Sequence, residues 1–325
     1  QGWEVVALDN LSTGRRCNIA HLAGERRFRF VEGDVCDERL VEQLTRGCEV
    51  VYHLAALVGV QFVVERPIEG MRTNVLGTDN VLSAAHRHGA RVCVASSSEV
   101  YGQSLEVPFV EDGPRVLGPT WIPRWSYATA KAIDEHLCFA YHDLGLEVSI
   151  VRYFNAYGPR TDPRGYGSVV ARFVNQALAG EPLTVHGDGQ QTRSFTYVSD
   201  SVQATILAGT LPAALGEVLN VGVEDETTIE CLALEIIALA GSRSTLTYVP
   251  YEAAFGARFA EPRRRVPDAS KARRLLGFTP EVSLRNGLKR TIDWFRAERA
   301  VSYHLPAVSG QPADASNLAG DGTGE

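Results

Sequence analysis

The stretch Val50-Val51-Tyr52-His53-Leu54-Ala55-Ala56 is a continuous apolar run that ends in small side chains. A short run without polar alternation predicts a strand that is buried on both faces. Runs of the same kind recur on either side of it, at 5–8, 28–31, 91–95 and 148–151. Segments of helical character lie between them, at 38–45, 74–88 and 127–144. Strands that alternate with helices predict an α/β protein with a doubly wound parallel sheet.

The second half of the sequence differs in its glycine and proline content and in the length of its segments. Glycine and proline recur between Pro159 and Gly189 and divide the chain into shorter pieces. Helical spacing returns at 169–179, 202–209, 228–240 and 284–299. We interpret this half as a smaller C-terminal lobe, with a segment near 195–221 that returns to the main sheet.

Small or polar residues directly follow the predicted strands. In a parallel sheet the carboxyl ends of the strands share one edge, and ligands bind beyond that edge. The residues at this edge are Asp9, Asp34, Ala55, Ala56, Ser97 and Asn155. The pattern therefore predicts a ligand cleft along one side of the sheet.

The bulk properties argue against several classes of protein. The formal net charge of the 325 residues is −7, which disfavours a nucleic-acid binder held by phosphate contacts. No stretch reaches the roughly 20 apolar residues of a membrane span. The six cysteines form neither a CxxC pair nor a zinc-ligand pattern. We expect no nucleic-acid partner, no membrane partner and no metal, and a cytoplasmic location that keeps the cysteines reduced.

Tyr127 and Lys131 are four residues apart on a predicted helix and therefore share one face. An ammonium beside a phenol favours the ionised phenol, which otherwise forms near pH ~10. Such a pair suits proton transfer, although a tyrosine and a lysine at this spacing also occur by chance. Ser96-Ser97-Ser98 ends a strand about 30 residues upstream. A serine there can bind a substrate oxygen, and it is also typical of an ordinary polar loop.

The serine-rich strand end, the YxxxK pair and Tyr153-Phe154-Asn155-Ala156-Tyr157-Gly158-Pro159-Arg160 together resemble the extended short-chain dehydrogenase/reductase family. More narrowly, they resemble its NAD-dependent nucleotide-sugar epimerases, dehydratases and decarboxylases. The resemblance runs from residue 5 to about residue 295. It implies a Rossmann-like NAD-binding domain at 1–157 and about 195–222, and a substrate-binding lobe at about 158–194 and 223–301. Residues 302–325, rich in Gly, Ala, Ser and Asp, are predicted to be a disordered tail.

The resemblance implies that NAD is the cofactor. Asp9, with Asn10 beside it, would bind the adenosine ribose, where an acidic group disfavours the 2′-phosphate of NADP. Asp34 and Val35 would flank the adenine, and Asn74 would orient the cofactor. The implied cofactor-binding residues are completed by Leu54, Ala55, Ala56, Tyr127, Lys131 and Tyr153.

The resemblance also implies the chemical roles. Tyr127 would take the proton of the sugar 4-hydroxyl, Lys131 would bond the nicotinamide ribose, and Ser97 would bind the reacting oxygen. Ser98 and Glu99 complete the implied catalytic set. The implied substrate-binding residues are Ser97, Asn155, Val169, Arg193 and Arg265. For Arg265, which ends an Arg263-Arg264-Arg265 run, a solvated basic turn is a fair alternative.

Oxidation of the sugar at C4 gives a 4-keto sugar, from which three reactions diverge. They are 4-epimerisation, 4,6-dehydration and decarboxylation of a C6 carboxylate. Glu99 stands where the family's epimerases usually carry a small or neutral residue, and Ser98-Glu99-Val100-Tyr101-Gly102 is most similar to the UDP-glucuronate decarboxylase form. The stretch 249–265 instead resembles members often called epimerases. The reaction is therefore predicted to be of the decarboxylase or 4-epimerase type, with a 4,6-dehydratase as the alternative.

One feature of the family is absent from this sequence. The family begins with a strand and a GxxGxxG turn whose backbone N–H groups hold the cofactor pyrophosphate. Here the sequence begins just before the second strand. Gly59 and Gly70 cannot replace the missing turn, because they lie after the wrong strand. We expect a truncated start, and a non-catalytic scaffold or inactive fragment is the alternative of another class. The family further implies a homodimer through the helices that contain Asn74 and Tyr127.

Overall fold

The computed structural model describes residues 2–162, 168–256 and 260–304. The strands are β1 Val5–Asp9, β2 Phe28–Glu32, β3 Val50–His53, β4 Arg91–Ser97, β5 Val148–Tyr153, β6 Ala156–Tyr157, β7 Leu183–His186, β8 Thr192–Arg193, β9 Thr196–Tyr197, β10 Val218–Val221, β11 Thr227–Thr228 and β12 Leu246–Val249. The α-helices are α1 Glu38–Thr45, α2 Val60–Glu65, α3 Pro67–Met71, α4 Gly77–His88, α5 Arg124–Asp143, α6 Val169–Ala179, α7 Val198–Thr210, α8 Ile229–Ala240, α9 Tyr251–Phe255, α10 Ser270–Leu276 and α11 Leu284–His304. A π-helical turn at Arg72–Leu76 leads into α4, and a 3-10 turn at Ser98–Tyr101 follows β4.

The main sheet has four parallel strands in the order β10-β5-β4-β3. In β4, Val94 pairs with His53 of β3 on one side and with Ile150 of β5 on the other. All but the last residue of β5 are buried, as the continuous apolar run predicted. The predicted return to this sheet near 195–221 is confirmed, because β10 pairs in parallel with β5.

Helices cover both faces of this sheet because successive side chains of a strand point to opposite faces. Val92 and Val94 of β4 pack in one core with Leu82 of α4 and Cys138 of α5. Cys93, between them, packs in a second core with Ala204 of α7. These two layers confirm the predicted doubly wound α/β class.

The strands β1 and β2 form a separate parallel pair, in which Ala7 faces Phe30. Within the described ranges this pair makes no ladder with β3. Val5 and Val6 of β1 are 48% and 40% exposed, although an inner strand of a parallel sheet is normally buried.

The second lobe packs α6, α8 and α11 around its own core, which includes Phe173, Leu232 and Phe295. The side chain of Ser168 accepts a hydrogen bond from Ala171 at the start of α6, and Gly180 ends that helix in the left-handed conformation. The short pairs β7–β12, β6–β9 and β8–β11 were not predicted, because strands of two to four residues carry little periodicity. The domain bounds of the two lobes stay a prediction.

Helix α11 extends to His304, so the predicted disordered tail is wrong for its first three residues. The rest of that tail lies outside the described residues. No helix in the described part of the chain has the length and apolar character that a bilayer span requires. Those residues also contain no cluster of three or more His, Cys, Asp or Glu side chains placed to hold a metal ion.

Candidate active site

A cleft of about 1120 Å³ lies beyond the carboxyl ends of β3, β4 and β5, between the main sheet and the second lobe. Most predicted site residues line it. They are Leu54, Ala56, Ser97, Ser98, Glu99, Tyr127, Lys131, Tyr153, Asn155, Val169, Arg193 and Arg265. The edge predicted from the strand ends is therefore the wall of a real cleft.

Tyr127 lies in the first turn of α5, opposite the end of β4. Its phenol is hydrogen-bonded to the side chain of Ser97, which also accepts a bond of 3.2 Å from the backbone N–H of Glu99. Burial raises the pKa of Tyr127, the Glu99 carboxylate raises it further, and the bond to Ser97 opposes both. The arrangement places the predicted base and the predicted oxygen-binding serine in direct contact.

Lys131 lines the cleft with Tyr127, and its ammonium has a buried partner that the YxxxK spacing did not indicate. Its ammonium donates to Asp134 at 3.0 Å, and the two side chains are 2% and 0% exposed. In the described part of the chain its recorded partner is thus this carboxylate, one helical turn onward, rather than the Tyr127 phenol. A buried ammonium requires a counter-charge, and Asp134 supplies it at i,i+3. Asp134 lies at i+3 from Lys131, a spacing that the YxxxK pattern does not include.

Glu99 is held by a group of buried guanidinium groups, which we call the arginine cluster: Arg124, Arg193 and Arg265. The Glu99 carboxylate meets Arg124 at 3.1 Å and Arg265 at 2.8 Å. Burial alone would raise the pKa of Glu99, but the charges of Arg124, Arg265 and Arg193 together lower it to about 2. Glu99 is therefore ionised at neutral pH.

A second carboxylate, Glu261, completes the arginine cluster. It forms ion pairs with Arg193 and, at 3.3 Å, with Arg124. Burial lowers the pKa of Arg193 to about 10, and the charge of Glu261 resists that shift. Three cations face two anions, so this part of the cleft carries a net positive charge.

The Arg263-Arg264-Arg265 run divides between two environments. Arg263 and Arg264 are exposed and pair with Asp188 and Glu226, whereas Arg265 is 6% exposed and turns into the cleft. The solvated-turn alternative thus describes the first two arginines and not the third. Arg124 and Glu261 escaped the sequence reasoning, although Arg124 stands one helical turn before Tyr127, where a charged side chain shares its face.

A buried polar network fixes α5 against the sheet. Glu135 accepts hydrogen bonds from Arg152 of β5 at 2.8 and 2.7 Å and from Ser96 of β4 at 2.5 Å. Arg152 also donates to the Tyr101 hydroxyl at 2.8 Å, which in turn donates to Asn220 of β10. Because every member has a partner, the network can hold Tyr127 and Ser97 in register at little cost.

The predicted adenosine end lies at the carboxyl ends of β1 and β2. Asp9 accepts the backbone N–H of Leu11 at 2.7 Å, and Leu11 adopts φ +56°, which turns the loop back. Asn10 donates to Asp34 at 2.9 Å. The backbone N–H of Cys36 and the Asn10 amide lower the pKa of Asp34. Two accessible carboxylates at neighbouring strand ends fit a ligand that presents hydroxyl and amino groups.

Besides Asp9, Asn10 and Asp34, three predicted cofactor residues do not line the cleft. Asn74 is 1% exposed, and its side-chain oxygen accepts the N–H of Leu57 at 2.8 Å. It therefore orders the loop after β3, and any effect on a ligand passes through that loop. Val35 and Ala55 pack in the core beneath the sheet edge.

Tyr153 and Asn155 line the cleft and are also tied to the scaffold. The Tyr153 hydroxyl bonds Thr205 of α7 at 2.6 Å. Asn155 has φ +37° and donates to the carbonyl of Ser194 at 3.0 Å. Asparagine tolerates this left-handed backbone better than most residues, which explains its place at a sharp turn after β5.

Comparisons with known proteins give matches over nearly the whole chain. The family described as GDP-mannose 4,6 dehydratase matches residues 1–291. A UDP-N-acetyl-alpha-D-glucosaminuronate decarboxylase of Bacillus cytotoxicus is 43% identical over 296 residues, which are 91% of each chain. UDP-glucuronic acid decarboxylase 1 of Danio rerio is 39% identical over 94% of this chain and 70% of its own.

Among solved structures, a UDP-glucuronic acid 4-epimerase from Bacillus cereus was determined in complex with UDP-glucuronic acid and NAD. It is 30% identical to this chain, and the superposition covers 91% of both chains with a TM-score of 0.80. The similarity therefore includes the main sheet, the cleft and the second lobe.

Proposed function

Because this chain belongs to the GDP-mannose 4,6-dehydratase family of NAD-dependent nucleotide-sugar enzymes, we propose that it decarboxylates a UDP-sugar that carries a C6 carboxylate. The observation that carries the proposal is the ionised Glu99, which Arg124 and Arg265 hold beside Ser97 and Tyr127. The names of the relatives from Bacillus cytotoxicus and Danio rerio support the same reaction.

The first step is oxidation of the sugar at C4. Tyr127 takes the proton of the 4-hydroxyl, and the Ser97 hydroxyl binds the same oxygen, since the two side chains are hydrogen-bonded to each other. NAD, when bound, supplies the acceptor for the C4 hydride and later its return. Asp9, Asn10 and Asp34 would hold its adenosine end, with Lys131 and Tyr153 at the other end.

The second step is loss of the carboxylate. In the 4-keto sugar the C6 carboxylate is β to a carbonyl, so the C5–C6 bond can break and C6 leaves as carbon dioxide. The bonding electrons pass to O4, where Tyr127, now protonated, and Ser97 stabilise the enolate as hydrogen-bond donors. A proton from solvent adds at C5, the hydride returns to C4, and Tyr127 gives its proton back to O4.

Glu99 favours the second step electrostatically. A fixed carboxylate near the C6 carboxylate disfavours the charged ground state, and that repulsion disappears when neutral carbon dioxide forms. The arginine cluster keeps Glu99 ionised and prevents it from taking up a proton instead. In the alternative dehydratase reaction, the same carboxylate would serve as a base toward the C5 proton.

The rest of the arginine cluster suits the nucleotide diphosphate. Arg193 and Arg265 line the cleft, and a guanidinium group is a suitable donor to phosphate oxygens. Asn155 lines the same cleft, and Val169 lies at the start of α6 on the side of the second lobe. Net positive charge in a confined cleft favours an anionic substrate over a neutral sugar.

We also propose that the protein is a homodimer built on α4 and α5. Leu76, Phe139 and Leu144 near these helices are 47%, 38% and 67% exposed, which is costly for large apolar side chains. Sedimentation at micromolar concentration should give twice the monomer mass, and a monomer there would contradict this part of the proposal.

The cytoplasm is the proposed location. All six cysteines are free, including the exposed Cys17 and Cys231. Exposed thiols persist in a reducing compartment and oxidise outside it. Fractionation of the source cells, with detection by antibody, tests this location directly.

One experiment separates the possible reactions. The protein is incubated with NAD and, in turn, UDP-glucuronate, UDP-N-acetylglucosaminuronate, UDP-glucose and dTDP-glucose, and the products are read by mass. Loss of carbon dioxide from a uronate is the expected result. Unchanged mass with altered retention would indicate a 4-epimerase, and loss of water a 4,6-dehydratase. Bound but unaltered nucleotide sugar would indicate the non-catalytic scaffold.

A further inference from the structure

Two consecutive acidic residues on α5, Asp134 and Glu135, point into the protein rather than toward solvent. Glu135 belongs to the network with Arg152 and Ser96 that ties α5 to the sheet. Asp134 takes no part in that network and pairs instead with Lys131, at 3.0 Å. A buried ion pair seldom adds net stability over apolar side chains, so its presence beside a reactive group calls for another explanation.

We propose that Asp134 is a positioning residue for the Tyr127 and Lys131 pair: its carboxylate holds the Lys131 ammonium away from the phenol, and its charge opposes phenolate formation. The inference rests on the proposed function, in which Tyr127 is the base. Asp134 would thus influence the ionisation of Tyr127, although it is not part of the YxxxK motif. Asp134 and Tyr127 lie two turns apart on one helix, with Lys131 between them.

The carboxylates and cations around this pair divide into two sets. Glu99 acts on Tyr127 from the turn after β4, more strongly than Asp134 does, and is ion-paired with Arg124 and Arg265. Asp134 has one recorded cationic partner among the described residues, namely Lys131. Loss of the Asp134 charge would therefore leave the charge of Lys131 uncompensated. Loss of the Glu99 charge would instead leave the charges of Arg124 and Arg265 without this partner.

Other titratable groups near the pair do not compensate for Asp134. His53 of β3 is buried, and burial lowers its pKa to about 3, so that it is neutral at neutral pH. Burial raises the pKa of the Cys138 thiol, which keeps it protonated. Glu135 is paired with Arg152, and Glu65 of α2 lines the same cleft. The carboxylate closest to Lys131 thus sets the local balance of charge.

The sign of the effect follows from these contacts. After burial and Glu99, the charge of Asp134 also raises the pKa of Tyr127. Asp134→Asn keeps the size of the side chain and removes its charge, which frees the lysine charge to act on the phenol. Both changes favour the phenolate, so Tyr127 should ionise at lower pH, by about one pH unit.

The test measures Tyr127 itself, without cofactor or substrate. The tyrosinate ultraviolet absorbance is titrated for the parent protein and for Asp134→Asn, each after subtraction of its Tyr127→Phe counterpart. We expect the midpoint to be about one pH unit lower in the Asn variant. An Asp134→Asn protein whose Tyr127 titrates no earlier than in the parent would overturn the proposal.

Two further variants make the test specific. Asp143→Asn removes the same charge from the exposed end of α5, about 24 Å along the helix from Tyr127, and should leave the midpoint unchanged. Asp134→Glu keeps the charge and should restore the parent midpoint. If Asp134→Asn does not fold, Asp134→Ser removes the same charge with a smaller side chain and carries the same expectation.

The pH dependence of kcat/KM gives an independent readout. The acid limb of Asp134→Asn should shift to lower pH, because the base forms earlier. A purely structural role would lower activity at every pH without moving the limb. If Tyr127→Phe keeps its turnover, the proposed function loses its base, yet the titration still reports on Asp134. An unshifted titration together with full dependence on Tyr127 would refute only the role of Asp134.

Discussion

The two sides of the cleft contain similar charged groups in different proportions. On the α5 side, one cation and one anion, Lys131 and Asp134, are fully buried and match each other. Around the turn after β4, the three guanidinium groups of the arginine cluster, of which Arg124 comes from the first residue of α5, face Glu99 and Glu261. A matched pair in a dry environment suits the control of a proton, because each charge sets the pKa of the groups beside it. A cationic excess suits the binding of an anion.

The largest expected effect comes from a substitution that removes only the proton-transfer function of the cleft. Tyr127→Phe should lower kcat by about 10²- to 10⁴-fold, since a general base is lost while the cleft keeps its shape. Calorimetric affinity for the nucleotide sugar should remain close to the parent value. Tyr141→Phe on the same helix, where the hydroxyl bonds Asp79, is the matched control and should keep its kcat. A Tyr127→Phe protein with near-parent turnover would contradict the assigned base.

A smaller effect is expected from a substitution that weakens anion binding. Arg193→Gln should raise KM by roughly 10- to 100-fold with little change in kcat, because a charged hydrogen bond to the diphosphate contributes to binding throughout the reaction. The control is Arg263→Gln, in which an exposed arginine paired with Asp188 is lost. Steady-state kinetics with varied substrate gives both constants. A fall in kcat at unchanged KM would instead place Arg193 on the reacting atoms.

The smallest expected effect is on the pH dependence of the unfolding free energy, and it comes from removal of the Glu99 charge. The arginine cluster lowers the pKa of Glu99 from 4.5 to about 2, which corresponds to roughly 3 kcal/mol of unfolding free energy at neutral pH. Because the pKa in the folded protein is depressed, this contribution is complete above about pH 4.5 and disappears as the pH falls through 2. Denaturant unfolding of the parent and Glu99→Gln should therefore differ most at neutral pH and converge in acid. Glu106→Gln, at an exposed position, is the control, and a difference that stays constant with pH would exclude this origin.

Much of the scaffold was predictable from local sequence. The apolar runs predicted the strands of the parallel sheet to within one to three residues, and the helix at 38–45 agrees with α1 at both ends. Continuous burial on both faces produces continuous apolar runs, so this signal is strong for inner strands. The NAD cofactor and the enzyme family agree with the resemblance that the motifs carried.

The sequence by itself determined the set of chemical groups, from Ser97 and Glu99 to Tyr127, Lys131 and Arg193, because short motifs place them at strand ends and on one helix face. Only the tertiary structure decided how their charges are paired. Glu261 meets Arg193 and Arg124 across more than 60 residues of chain, and no local periodicity encodes such a contact. By spacing alone Lys131 could pair with a group at i+3 or lie beside Tyr127 at i−4, and in the folded protein its buried ammonium pairs with Asp134. Pairing between distant charges depends on which groups share a dry space, and that space exists only once the two lobes have packed.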